Sequence, residues 1–158
     1  MHTKFIIGLV AIWIAGAVGI SAAAAQTGDV AVVVNQKNPV KNLSSAELRQ
    51  IFAGERRTWT GGVPVKLFVR APGARERVVL MKLLDMSESQ YKHYWTAQIF
   101  RGEAQAEPIA LFSNGMQKEA IALYPGAVAL VNAQDVKPGM KVVRLEGHMP
   151  GELNYPLN

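Results

Sequence analysis

The sequence predicts an α/β fold, a largely parallel sheet covered by helices on both faces, and three observations predict it. Apolar, β-branched runs recur along the chain: DVAVVV at 29–34, VKLFV at 65–69, AVALV at 127–131 and MKVVRL at 140–145. Stretches with apolar residues at helical spacing separate most of them. Capping-box signatures, Ser44-Ser45-Ala46-Glu47 and Ser87-Glu88-Ser89-Gln90, mark where two of those helices begin. Strands alternating with helices over a whole chain pack as layers with a central sheet.

Each element follows in order. The run 29–34 lies between Gly28 and the polar NQKNPVKN, so it reads as a buried strand. After the Ser44 box, Leu48, Ile51 and Phe52 form one helical face, and Gly54 supplies a left-handed stop. Residues 56–64 are dense in turn formers and lead into the strand at 65–69. A helix to about Met86 follows, with Val78, Val79, Leu80, Met81, Leu83 and Leu84 apolar nearly all round, which predicts a helix sandwiched between other elements. Tyr91, Tyr94, Trp95 and Ile99 then repeat at i, i+3, i+4 and i+8 as a core stripe. A charged loop at 101–108 precedes the short extended segment PIALF. Ser113-Asn114-Gly115 opens a helix marked by Met116, Ala120, Ile121, Leu123 and Tyr124 and ended by Pro125-Gly126. The strands at 127–131 and 140–145 complete the set.

The first 25 residues predict the compartment. His2 and Lys4 precede an apolar stretch of 16 residues, and Ala23-Ala24-Ala25 meets the small-x-small rule for cleavage before Gln26. That is a cleaved secretory signal peptide and a periplasmic destination; an uncleaved anchor is the alternative, though the stretch is short for a membrane span. Removing 25 residues from 158 leaves 133, one domain over 26–158. Lys4 is the only charged residue removed, so 16 Lys and Arg remain against 12 Asp and Glu. The excess is compatible with an anionic ligand and equally with an ordinary exported surface. The basic residues are scattered and no nucleic-acid-reading motif is present, which argues against a nucleic-acid partner. The chain has no cysteine, which removes disulfides, thiolate metal sites and lipid attachment through cysteine. His93 and His148 have no metal-ligand spacing, and no serine sits in a nucleophile-elbow context. No enzyme, cofactor or metal is expected.

Chemistry is expected where helix N-termini face the carboxyl ends of strands. Two junctions qualify: Arg70 at a strand end with Gly73, Ala74 and Arg75 opening the next helix, and Ser113 opening the later one. Arg70 offers a bidentate fork, Gly73 and Ala74 offer backbone amides, and Arg75, with Arg77, adds positive field. Unlike the serine-capped helices, this one has no hydroxyl to accept from its first amides, which leaves them to water or to an anion. The plainer alternative is that water caps the helix and Glu76 neutralises Arg75 or Arg77.

The ordered set VVVNQKNPVKNLSSAELRQIFAGERRTWTGG, VPVKLFVRAPGARER, YKHYWTAQIFRG and IALYPGAVALV resembles the phosphate-binding proteins of bacterial ABC transporters, in the periplasmic binding protein type 2 superfamily. The resemblance covers nearly all of residues 30–132 and implies one lobe of a two-lobed fold, similar to the second. It implies a phosphate-like oxyanion as ligand, a membrane transporter, second lobe or other protein as partner, and Arg70, Gly73, Ala74, Arg75 and Ser113 near the anion. In the family an arginine and a Ser-Gly-Thr-like turn hold the oxyanion. Arg70 and Gly73 match, whereas Ala74, Arg75 and Glu76 stand where the hydroxyl-bearing turn would be. Arginine at 75 could replace the missing hydroxyl bonds, or Glu76 could repel a dianion; the sequence leaves both open. The rival expectation is a ligand-free protein-interaction or sensory module on the same fold.

Overall fold

A computed structural model describes residues 28–158; the expected signal peptide lies outside the described residues. Among the described residues, six strands and four α-helices follow one another: β1 (Val30–Asn35), β2 (Asn42–Leu43), α1 (Ser45–Phe52), β3 (Lys66–Arg70), α2 (Arg75–Leu84), α3 (Glu88–Phe100), β4 (Ile109–Leu111), α4 (Asn114–Leu123), β5 (Ala127–Asn132) and β6 (Met140–Leu145). They form one sheet in the order β2-β6-β1-β5-β3-β4.

The sheet divides the core in two because side chains alternate along each strand. Val30, Val32 and Val34 of β1 and Val128 and Leu130 of β5 point to the side covered by α1, α2 and α3. Ala31, Val33, Ala127, Ala129 and Val131 point to the other, where Ala120 and Ile121 of α4 cover them. The α/β layers expected from the sequence are therefore present, with helices on both faces. The pairing is mixed in direction: β3–β4, β3–β5 and β2–β6 are parallel, while β1 runs antiparallel to both β5 and β6. A strand buried on both faces reads as a uniform apolar run whichever way it points, so its direction left no trace in the sequence.

The capping boxes form as expected. Ser44 Oγ accepts from the Glu47 amide at 3.1 Å while Glu47 accepts from the Ser44 amide at 2.9 Å, and Ser87 and Gln90 make the same exchange at 3.1 and 2.8 Å. Gly54 follows α1 at φ +74°. Two expectations need correction. α2 is not enclosed all round, since Val78 is 50% exposed. α3 buries Tyr91 and Trp95, but Ile99, one turn further on, is exposed. α4 forms where its pattern placed it and turns Gln117, Ala120 and Ile121 to the sheet, while Leu123 and Tyr124 at its end are exposed.

The C-terminal tail closes the α1–α3 side. Tyr155 donates its hydroxyl to the Val30 carbonyl at 2.8 Å, the Val30 amide donates to Leu157 at 2.8 Å, and both side chains are buried in the main core.

Candidate functional site

Because β3, β4 and β5 are mutually parallel, their carboxyl ends share one edge of the sheet, and antiparallel β1 brings its beginning to the same edge, with Val30 opposite Asn132. Arg70 pairs in register with Leu111, and the Ala71 amide donates to the Leu111 carbonyl at 3.0 Å. The two junctions singled out in the sequence, Arg70 to Arg75 and Ser113, thus leave neighbouring strands side by side.

Between Arg70 and α2 the chain turns through Pro72 and Gly73. Gly73 holds φ +94°, a conformation that side chains with Cβ resist, and open space surrounds the place where a Cβ would lie. Gly73 is needed for the turn. Ala74 then takes the N-cap position with extended backbone and no side-chain cap, so the first amides of α2 face the edge without an internal hydroxyl acceptor. At α4 the cap is conventional: Ser113 Oγ accepts from the Met116 amide at 3.1 Å, which leaves its hydroxyl hydrogen able to donate outward.

The arginines separate in role. Arg70 keeps only 15% of its side chain exposed, and its Nε lies 4.0 Å from Glu76 Oε2, on a carboxylate that is itself 3% exposed. Arg75 is exposed and donates Nη2 to the Gly28 carbonyl, tying the start of α2 to the beginning of β1. Arg77 leaves the edge altogether. It forks onto Glu88 at 2.9 and 2.8 Å and lies 4.1 Å over the Tyr91 ring. Burial alone would lower its pKa, but the bonds to Glu88 and the neighbouring charges reverse this and raise it. Its contribution to a positive field at the edge, expected from its position in the sequence, is cancelled by Glu88. Glu76 likewise faces Arg70 rather than Arg75 or Arg77.

Unpaired buried polar atoms gather at this edge. Arg70 Nε and Nη1, Glu76 Oε1, Asn114 Oδ1, Gln117 Oε1 and Asn132 Oδ1 have no hydrogen-bond partner among the described residues. These atoms belong to the ends of β3 and β5 and to the first turns of α2 and α4. Native proteins leave few such atoms without ligand or water. Gln117 is fully buried and fixes α4 to the sheet by donating Nε2 to the Leu130 carbonyl at 2.7 Å. The sequence reading missed Glu76 as the partner of Arg70, together with Asn114, Gln117 and Asn132. Only the positive φ of Gly73 reveals that the chain doubles back and brings Glu76 to Arg70; the three amides lie in otherwise ordinary helix and strand ends.

A mixed six-stranded sheet with helices on both faces is the architecture of a single periplasmic-binding-protein-like lobe. The chain belongs to the PBP superfamily domain family, whose model matches residues 14–150. Solved structures of similar fold include an ABC-type phosphate transport receptor from Vibrio cholerae, with 21% identity, a TM-score of 0.62 and coverage of 77% of this chain and 48% of that one. Another, solved with bound phosphate and assigned to a phosphate ABC transporter substrate-binding protein of Clostridium perfringens, has 16% identity, a TM-score of 0.65 and coverage of 82% and 51%. A phosphate-binding protein from Stenotrophomonas maltophilia has 16% identity, a TM-score of 0.58 and coverage of 80% and 41%. The chain spans about half the length of these proteins.

Proposed function

We propose that this protein is an exported, non-enzymatic solute-binding lobe that takes phosphate or a related small oxyanion at the carboxyl edge of β3 and β4, in the service of an ABC transporter. The observation that carries this reading is Arg70, largely buried at a strand end with Nη1 lacking an acceptor among the described residues, beside the uncapped start of α2. Arg70 supplies the fork, Gly73 and Ala74 supply amides, Arg75 adds charge from the rim, and Ser113 donates from the neighbouring helix. A basic start, an apolar stretch and a small-residue end within residues 1–25 support delivery to the periplasm. The anion meets this lobe on an open side, so affinity depends on a second lobe or protein partner to exclude water.

The test is calorimetric titration with phosphate, sulfate and small carboxylates. Saturable heat that disappears in Arg70→Gln/Glu76→Gln supports the reading. That double substitution leaves no uncompensated buried charge, so loss of binding is separable from loss of fold. Heat that survives it places the anion elsewhere.

A second reading, a protein-interaction module, is favoured by one observation: Phe112, directly before Ser113, is 74% exposed, and Leu123 and Tyr124 at the far end of α4 are exposed as well. A periplasmic partner retained by the wild type, released by Phe112→Ser and indifferent to phosphate, supports that reading.

A further inference from the structure

We propose that Glu76 is the site's internal anion, a carboxylate that holds Arg70 in the absence of ligand and against which any incoming oxyanion must compete. The inference rests on the proposed anion site and adds its regulation. Glu76 is the second residue of α2, so its carboxylate sits at the open, positive end of a ten-residue helix, where an oxyanion would gain most. It is 3% exposed and 4.0 Å from Arg70 Nε. The chain has therefore already placed one negative charge against both sources of attraction, the guanidinium and the helix start.

The pair is incompletely formed. Arg70 Nε and Nη1 and Glu76 Oε1 all lack hydrogen-bond partners among the described residues. A carboxylate locked to an arginine for structure alone would be expected to fork onto it, as Glu88 forks onto Arg77 at 2.9 and 2.8 Å eleven residues along the chain. A single long contact holds the guanidinium near its place while leaving donors free. Arg70 Nε and Nη1 are shut off from solvent as well as unpaired, so an oxyanion gains those donors only as the guanidinium or Glu76 shifts, and it meets the Glu76 charge there; a neighbouring like charge weakens an anion's binding by a factor of about ten or more. Glu76 thus lets the lobe keep a buried arginine without ligand and keeps its affinity low until something displaces or neutralises the carboxylate.

The test is titration of phosphate and sulfate into wild type, Glu76→Gln and Glu76→Ala. Competition predicts that both variants bind at least about tenfold more tightly than wild type, the scale of one unfavourable neighbouring charge. In wild type, the Arg70 Nε–H signal in nitrogen-15 spectra shifts as phosphate is added. Wild type binding as tightly as, or more tightly than, either folded variant overturns the competition and leaves the anion site standing. Absence of binding in all three proteins, together with an unmoved Arg70 signal, overturns both. If the variants do not fold, the wild-type spectrum decides: a shift on Arg70 that leaves the Glu76 carboxylate carbon unmoved contradicts displacement.

Discussion

Tyr91 shows how much one atom's surroundings decide. Its ring is buried under Arg77, yet its hydroxyl finds no hydrogen-bond partner among the described residues, and burial pushes its pKa up to about 12. A tyrosine whose folded pKa exceeds its unfolded value stabilises the fold fully below the unfolded pKa and loses that contribution as pH rises toward the folded one. Stability is therefore expected to fall between about pH 10 and pH 12. Tyr91→Phe keeps the ring under Arg77 and should reduce that decline while leaving stability at pH 7 unchanged or slightly raised, measured by urea unfolding across the alkaline range. A decline of equal slope in the variant contradicts the assignment. At Gly126 the constraint is steric, since an added Cβ would lie 1.8 Å from the Pro64 carbonyl oxygen. Gly126 also accepts from Trp59 Nε1 at 2.9 Å, so neither side can withdraw cheaply. Gly126→Ala is expected to destabilise by about 3 kcal/mol, the upper end for overpacking, whereas a variant of near wild-type stability would mean that the loop at 61–64 gives way.

Among the elements, those with a local signal were legible and those set by long-range pairing were not. The boxes at Ser44 and Ser87 announced α1 and α3 because each joins residues three apart. Ser44→Ala should cost about 1 kcal/mol, seen as a lower denaturation midpoint with unchanged slope; no change would mean that water replaces the hydroxyl fully. β2, two residues long, exists only because Asn42 and Leu43 meet Arg144 and Leu145 a hundred residues later, and no pattern in so short a stretch could disclose it. The outer end of α3 was misjudged for a related reason. Helical periodicity says which side chains share a face, but not how far along the helix that face is covered, and Ile99 is exposed. At the candidate site the strand-to-helix junctions and Arg70 were visible as local patterns. The partner choice was not, because Glu76 turns to Arg70 and Arg77 to Glu88 only once the Gly73 turn and the α2–α3 packing are formed.

At the scale of the whole molecule, the two sheet faces are covered unequally, and the tail makes up part of the cover. Tyr155 and Leu157 join the α1–α3 core and bond to Val30 at the very edge where the candidate site begins. Tyr155→Ala should cost roughly 3 to 5 kcal/mol, as for other buried aromatic truncations. A loss near zero would show the tail to be dispensable. The parallel trio β3, β4 and β5, with β1 antiparallel beside them, gathers two helix starts, Arg70 and the beginning of β1 along one edge, and on the proposed reading this edge holds a small oxyanion through Arg70. Titration of phosphate into the purified protein, freed of phosphate beforehand, tests it most directly. Saturable heat with half-saturation at or below about 1 mM is expected, together with its loss in the charge-neutral Arg70→Gln/Glu76→Gln variant. Heat of the same size and midpoint in that variant, or none in either protein at tenfold higher phosphate, would contradict it.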